Sequence, residues 1–367
     1  MRPEGRRHYP GVEILRGVAA MMVLVYHVIA HGQWASFPDH GPLLAFRLGW
    51  LGVDLFLVIS GFVIALAVLS GVARHGEGAA FRRDFAGRRW RRIAPLYFLT
   101  LLAFLFLVQP QLLLMGWQTL ALHLGSHALF LHNLLADTHG SINGPNWSVA
   151  LEMQFYLLML LAGPWLVRQR VAVVLLLMCG VAIAWRAATF AWMGGAGAEA
   201  WKLHIYTTQL PGSLDEFAFG IVLAILVTRP GWLQRALAPT PLRFLAACAV
   251  AAAAVGVAMW VFFPRGDYWP RWEMVVGWRT LLALAFGAVV AAAVALPEAW
   301  ARWLWPLRYL GEISYGIYLW HLPVLLTLLA AGVAGGPGLL AATLAGTLAL
   351  AAFSWHVVER PWLRRPT

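Results

Sequence analysis

Arg16 and His27 stand eleven residues apart in the first apolar run of the chain, residues 12–30, and Glu13 lies in the same run. At about 100° per residue, eleven steps return to within about 20° of one helix face, about 16 Å further along the axis. Each ionisable group placed in hydrocarbon costs at least about 2.5–3.5 kcal/mol, so such groups normally line a cavity and work there. An imidazole in that position can take up and release a proton near neutral pH. A guanidinium on the same face can hold an anion. Two carboxylates are candidates to orient the imidazole. Asp54 opens the second apolar run (GVDLFLVISGF). Glu152 follows Trp147-Ser148 in the fourth (NWSVALEMQFY) and shares a face with Tyr156, four residues on. Asp54 could equally cap its helix, and Glu152 could be a polar link between helices.

Other polar residues carry weaker signals. Arg89 and Arg92 lie one turn apart in FAGRRWRRIAPLY, a spacing that suits bidentate phosphate binding, although basic juxtamembrane runs also anchor in lipid headgroups. His123, His127, His132 and His139 tempt a metal reading. No acid lies between His123 and His127 in the metalloprotease manner and no Cys is near, so an interfacial polar face is expected instead, with no metal site. Asp215 and Glu216 read as acids at a helix N-terminus. Ser60-Gly61 reads as a small pair where helices pack. His321 falls mid-run, beside Pro323.

The elements that must position these residues are membrane helices. The 367 residues are 61% hydrophobic and 12% charged, with mean hydropathy +0.71. That composition excludes a soluble globular protein and predicts an all-α, polytopic bundle. Ten spans are expected, near 12–30, 49–70, 94–114, 147–167, 171–193, 213–228, 243–263, 276–296, 309–331 and 338–358. The His-bearing stretch 118–135 is read as interfacial or re-entrant. The net charge of +11 follows loop position rather than a nucleic-acid partner. With the N-terminus inside, twenty Lys/Arg fall in inside segments and four outside (Arg47, Lys202, Arg265, Arg271), while Arg16, Arg186 and Arg279 lie within spans. That split predicts both termini in the cytoplasm. Cys179 and Cys248 both sit in apolar runs and give neither a disulfide framework nor a metal spacing. The basic start is not read as a cleavable signal peptide, because Glu13 and Arg16 interrupt its apolar core. One membrane domain over residues 1–367 is expected.

Taken together these motifs resemble the membrane-bound acyltransferase 3 family. Arg16 and His27 match its basic residue, ten-residue gap and histidine. GVDLFLVISGF matches its second-helix signature, and Arg89 and Arg92 match its RxxR. WSVALEMQFY, the run Ser314–His321 (SYGIYLWH) and Glu359-Arg-Pro361 match its later motifs. The resemblance implies about ten helices and transfer of an acyl group, usually acetyl from cytoplasmic acetyl-CoA, to a hydroxyl on an extracytoplasmic or lipid-linked glycan. It maps the family's essential histidine to His27, its basic partner to Arg16, its RxxR pair to Arg89 and Arg92 and its fourth-helix glutamate to Glu152. The expected mechanism has His27 as catalytic base, or as a transient acyl carrier, Asp54 or Glu152 orienting it, and Arg16, Arg89 and Arg92 placing the donor. It implies a multi-pass location in the inner (plasma) membrane of a bacterium. Some relatives carry a fused hydrolase-like extracytoplasmic domain, which is not expected here. The rival expectation is a transporter or flippase of a lipid-linked sugar, whose path the intramembrane charges would line. No inverted repeat or pair of matched broken helices favours it.

Overall fold

The computed structural model describes residues 9–364; Arg2, Arg6, Arg7 and Arg365 of the loop-charge argument lie outside them. The described residues are helical and contain no strand. A chain this apolar must satisfy every backbone N–H and C=O internally, and helices do so within one segment. The principal helices are α1 (Pro10–His31), α2 (Leu51–His75), α3 (Ala79–Ala103), α4 (Trp117–Ala128), α5 (Asn146–Leu161), α6 (Val171–Trp192), α7 (Leu214–Thr228), α8 (Pro241–Phe262), α9 (Arg279–Val294), α10 (Trp305–Glu312), α11 (Ser314–Ala330) and α12 (Pro337–Ser354).

Among the described residues, eight helical stretches are long and apolar enough to cross a bilayer, and α10–α11 makes a ninth if that pair, bent by 70°, is one span. The protein is a multi-pass integral membrane helix bundle. The fourth expected span, at 147–167, is not continuous. α5 has 16 residues and gives way at Ala162 to a short turn, Gly163–Leu166, because Pro164 cannot donate into the helix ladder. Hydropathy ran across a break that the Gly-Pro dipeptide marks. The bend at Ile313 lies inside the expected ninth span and has no proline to signal it.

The helices gather into two compact units. The first takes residues 9–15, 54–85 and 151–305, so it holds most of α2 and all of α6 to α9. There α8 packs on α9, and α7 packs on both α6 and α9. A Cβ on Gly220 would collide with the carbonyl of Val58, so α2 and α7 meet backbone to backbone. Gly61 makes the reciprocal approach to Phe217, as the small-residue reading expected. Phe155 stacks on Phe217 with centroids 3.8 Å apart.

The second unit takes residues 16–53, 86–150 and 306–364. It holds α1 from Arg16 onward, most of α3, and α4, α11 and α12. α11 packs along α12. Gly49 fits against the carbonyl of Met22, which brings the start of α2 onto α1. Three π-helical turns interrupt the regular helices, at Phe104–Val108, Glu273–Trp278 and Trp355–Glu359. Such turns shift the register by one residue and recur at functional positions. Here one ends on Glu359 and another leads directly into Arg279.

Candidate active site

α1 is continuous from Pro10 to His31, so Arg16 and His27 do lie on one helix as the spacing requires. The group that meets His27 is His321 of α11. His27 Nδ1 is 3.1 Å from His321 Nε2 and 3.0 Å from the carbonyl of Val23, and the ring centroids are 4.9 Å apart. On its other side, His321 Nδ1 faces the carbonyl of Ile317 at 3.3 Å. The proton positions follow from what each atom can do. A carbonyl only accepts, so His321 Nδ1–H donates to Ile317 and leaves Nε2 as an acceptor. His27 Nδ1–H then donates, shared between Val23 and His321 Nε2. That leaves the basic lone pair of His27 on Nε2, which makes no hydrogen bond among the described residues. His27 is half-buried, whereas His321 is fully buried. Second-partner bonding of this kind fixes a histidine's tautomer and orientation.

The segment before α5 supports the same helix. Asn143 Nδ2 donates to the carbonyl of Leu319 at 3.1 Å, and Ser148 Oγ lies 2.6 Å from the Tyr318 hydroxyl, which itself donates to Pro145. Two of the motifs noted in the sequence, Trp147-Ser148 and Ser314–His321, therefore meet one residue from Leu319 and three from His321.

The arginines gather on Glu359. Arg92 pairs with Glu359 Oε2 at 3.0 Å, and its guanidinium lies over the rings of Tyr315 and Trp355, 5.6 and 5.5 Å from their centroids. Tyr315 in turn donates to the carbonyl of Ile93 at 2.9 Å. Arg16 lies within electrostatic reach of the same carboxylate. Two guanidiniums thus lie around one buried carboxylate. Arg89 is half-buried one turn before Arg92, with a buried Nε that has no hydrogen bond.

Asp54 and Glu152 are both engaged inside the first unit. Asp54 Oδ1 accepts from Arg279 at 2.8 Å, and Arg279 also lies 3.2 Å from Glu216. Glu152 Oε1 accepts from Ser60 at 2.7 Å and from the Tyr156 hydroxyl at 2.5 Å. Ser60 thus does more than pack. Asp215 and Glu216 likewise do more than mark a helix start. Arg186 grips Asp215 through both terminal nitrogens, at 2.7 and 3.3 Å, and Thr280 bridges the pair at 2.7 and 2.6 Å. A guanidinium with no exposure inside a membrane protein needs such a partner, and the two in-span arginines were the sequence signal for these acids.

The histidine-rich stretch corrects another expectation. It is not an interfacial polar face, because the helix is turned the other way. Trp117, Leu122 and Leu129 are exposed, while His123, His127, His132 and His139 are buried. Apolar side chains are the ones that can face lipid, so the imidazoles go inward. His127 and His132 stack with centroids 3.9 Å apart, and His139 stacks on Trp147. Burial pushes His127 and His139 down to about 4 and His132 to about 3, the last also through its neighbour His127. All three are neutral at neutral pH. Among the described residues no group of three or more His, Cys, Asp or Glu is arranged to hold a metal ion.

A family model described as an acyltransferase domain matches residues 9–356. The chain is 27% identical over 390 residues to a Bacillus subtilis protein provisionally named peptidoglycan O-acetyltransferase YrhL, covering 98% of this chain and 56% of that one. It is 24% identical over 377 residues to peptidoglycan O-acetyltransferase OatA of Listeria monocytogenes, covering 97% and 56%. It is 31% identical over 382 residues to a Komagataeibacter xylinus protein with the provisional name membrane-bound transacylase BcsY, covering 98% and 84%. The chain thus spans about half the length of the two peptidoglycan relatives. No solved structure matches it.

Proposed function

We propose that this chain, which belongs to the acyltransferase 3 family, is an integral membrane O-acyltransferase. It moves an acyl group, acetyl in the first instance, from cytoplasmic acyl-CoA to a hydroxyl of an extracytoplasmic or lipid-linked glycan. Peptidoglycan is the acceptor that its relatives' names suggest. The observation that carries this reading is the His27–His321 pair, which leaves His27 Nε2 as an unencumbered base.

The donor supplies a thioester carbonyl and an anionic nucleotide. The site around Glu359 suits the anion: Arg16 and Arg92 lie beside its carboxylate and Arg89 stands one turn before Arg92, so three guanidiniums are within reach of phosphate groups. His27 Nε2 takes the proton of the acceptor hydroxyl as its oxygen bonds to the acyl carbon. The same imidazolium returns that proton to the leaving thiolate. General-base assistance of this kind is worth about 10²–10⁴-fold. Attack by Nε2 itself, giving a transient acyl-imidazole, uses the same lone pair. His321 is a positioning residue: it holds the Nδ1 proton side of His27. Asp54 and Glu152, the carboxylates first expected to orient the imidazole, contribute through the hydrogen bonds they make in the first unit.

Membranes containing the protein are to be given acetyl-CoA and peptidoglycan glycan strands. Acceptor-dependent release of free thiol, with a 42 Da acetyl increment on the glycan (about one acetyl per transfer), is the expected result. Movement of a lipid-linked sugar without thiol release is what a transporter would give, and it would overturn the enzymatic reading.

A further inference from the structure

A cleft of about 430 Å³ opens beside the outer end of α1, lined by Tyr26, Ile29, Ala30, Gln33, Trp34, Ala35 and Arg47. Its place in the chain is informative. Tyr26 immediately precedes His27, and the two rings meet edge to face at 5.3 Å. The cleft therefore shares a wall with the imidazole proposed as the base. His31, one turn further on, stacks over the other side of His27 at 5.7 Å.

The loop that forms the far wall is built to hold its shape. Arg47 Nε donates to the carbonyl of Pro38 at 3.1 Å, and its terminal nitrogen donates to Ala35 at 3.1 Å and also to Phe37. The same guanidinium sits 5.9 Å above the Phe37 ring. Trp34 packs edge-on against Phe37 at 5.0 Å, and its indole N–H donates to Ser36 at 3.1 Å. Arg47 is thus fixed as a clamp on the loop, and its guanidinium keeps its positive charge at the cleft wall. Gln33 adopts φ +48°, the left-handed conformation that a side chain seldom takes without cause.

What remains available is specific. The cleft presents two aromatic rings, Tyr26 and Trp34. It also presents two polar groups that make no hydrogen bond among the described residues, the Tyr26 hydroxyl and the exposed Gln33 amide. Flat aromatic faces with neutral donors and acceptors at the rim match a pyranose ring, whose C–H face is apolar and whose edge is hydroxylated. A lipid tail would need no such rim, and the aromatic faces of Tyr26 and Trp34 suit the apolar C–H face of a sugar ring better than a bare phosphate.

We propose that this cleft is the subsite that binds a sugar ring of the glycan acceptor and delivers its hydroxyl to His27. The proposal rests on the acyltransferase reading above. The test uses purified full-length protein in nanodiscs, with acetyl-CoA and a soluble N-acetylglucosamine–N-acetylmuramic acid tetrasaccharide as the probe. Trp34→Ala is expected to raise the KM for the tetrasaccharide about tenfold, the loss of roughly one aromatic stacking contact. The KM for acetyl-CoA should stay unchanged. Because Trp34 also braces its loop, Tyr26→Phe and Gln33→Ala serve as variants that remove only the free polar groups, each expected to raise the same KM about threefold. Unchanged acceptor KM in all three variants, with wild-type protein active, overturns the subsite and leaves the enzymatic reading standing. Equal loss for acetyl-CoA and tetrasaccharide also overturns it. No acceptor-dependent thiol release by wild-type protein is a failure of the enzymatic reading instead.

Discussion

The two units use their buried polar groups differently. In the first, charge meets charge: Arg186 with Asp215 and Thr280, Arg279 with Asp54 and Glu216, and Glu152 with two hydroxyls. In the second, Arg92 also pairs with Glu359, but the chain of hydrogen bonds from Ile317 through His321 to His27 ends on a lone pair with no partner among the described residues. A closed network spends its polar groups on holding helices together; an open-ended one leaves an atom with which to do chemistry. The comparison assigns stability to the first network and turnover to the second, and each assignment can be broken separately.

The largest effect is expected in the first unit. Replacing Arg186 by Leu leaves Asp215 charged and buried at a site with no exposure, which costs about 3–5 kcal/mol. Thermal unfolding of the purified variant should show a marked drop. The double variant Arg186→Leu/Asp215→Leu should recover most of it, since an apolar pair of similar bulk leaves no orphan charge. A single variant as stable as wild type would mean that the network is incidental.

A smaller and qualitatively different effect belongs to His321. His321→Ala should lower kcat about 100-fold, within the range of general-base assistance, with little change in either KM. His321→Gln keeps an acceptor toward His27 and should restore part of the rate. It should also move the acidic limb of the pH–rate profile, a change that loss of packing alone would not produce. Identical profiles for both variants would reduce His321 to a packing residue.

The smallest effect sharpens the contrast from the side of pH. His127, His132 and His139 are held neutral by burial, with values of about 4, 3 and 4 against about 6.5 in the unfolded chain. Between those values the unfolded state binds more protons, so stability is full above about pH 6.5 and declines as pH falls toward 4. From pH 7 to 5 the loss is about 2 kcal/mol per histidine at most. His132→Phe should flatten the fall in unfolding temperature with acidification, and an unchanged slope would contradict this account of the cluster.

How much of this was legible depended on range. The all-helical bundle and the Arg16/His27 face needed only hydropathy and a 3.6-residue period, and the family followed from motifs in register. The break at Gly163-Pro164 was written in the sequence but outweighed by its apolar surroundings. The partners were not legible in the same way. His27 and His321 are 294 positions apart, and no local period joins them. The pairs Arg186–Asp215 and Arg279–Asp54 could have been suspected, since an arginine within a span requires an acid, but which acid is a matter of packing. The inward-facing histidines of α4 were misread because a polar face was assumed to seek water, whereas here the exposed face of the helix is apolar.

The most direct measurement compares wild type and His27→Ala, purified side by side in nanodiscs and supplied with acetyl-CoA and glycan acceptor. The account predicts an unchanged unfolding temperature and a loss of acetyl transfer of at least about 100-fold. Acetyl transfer at the wild-type rate by the folded variant would contradict it.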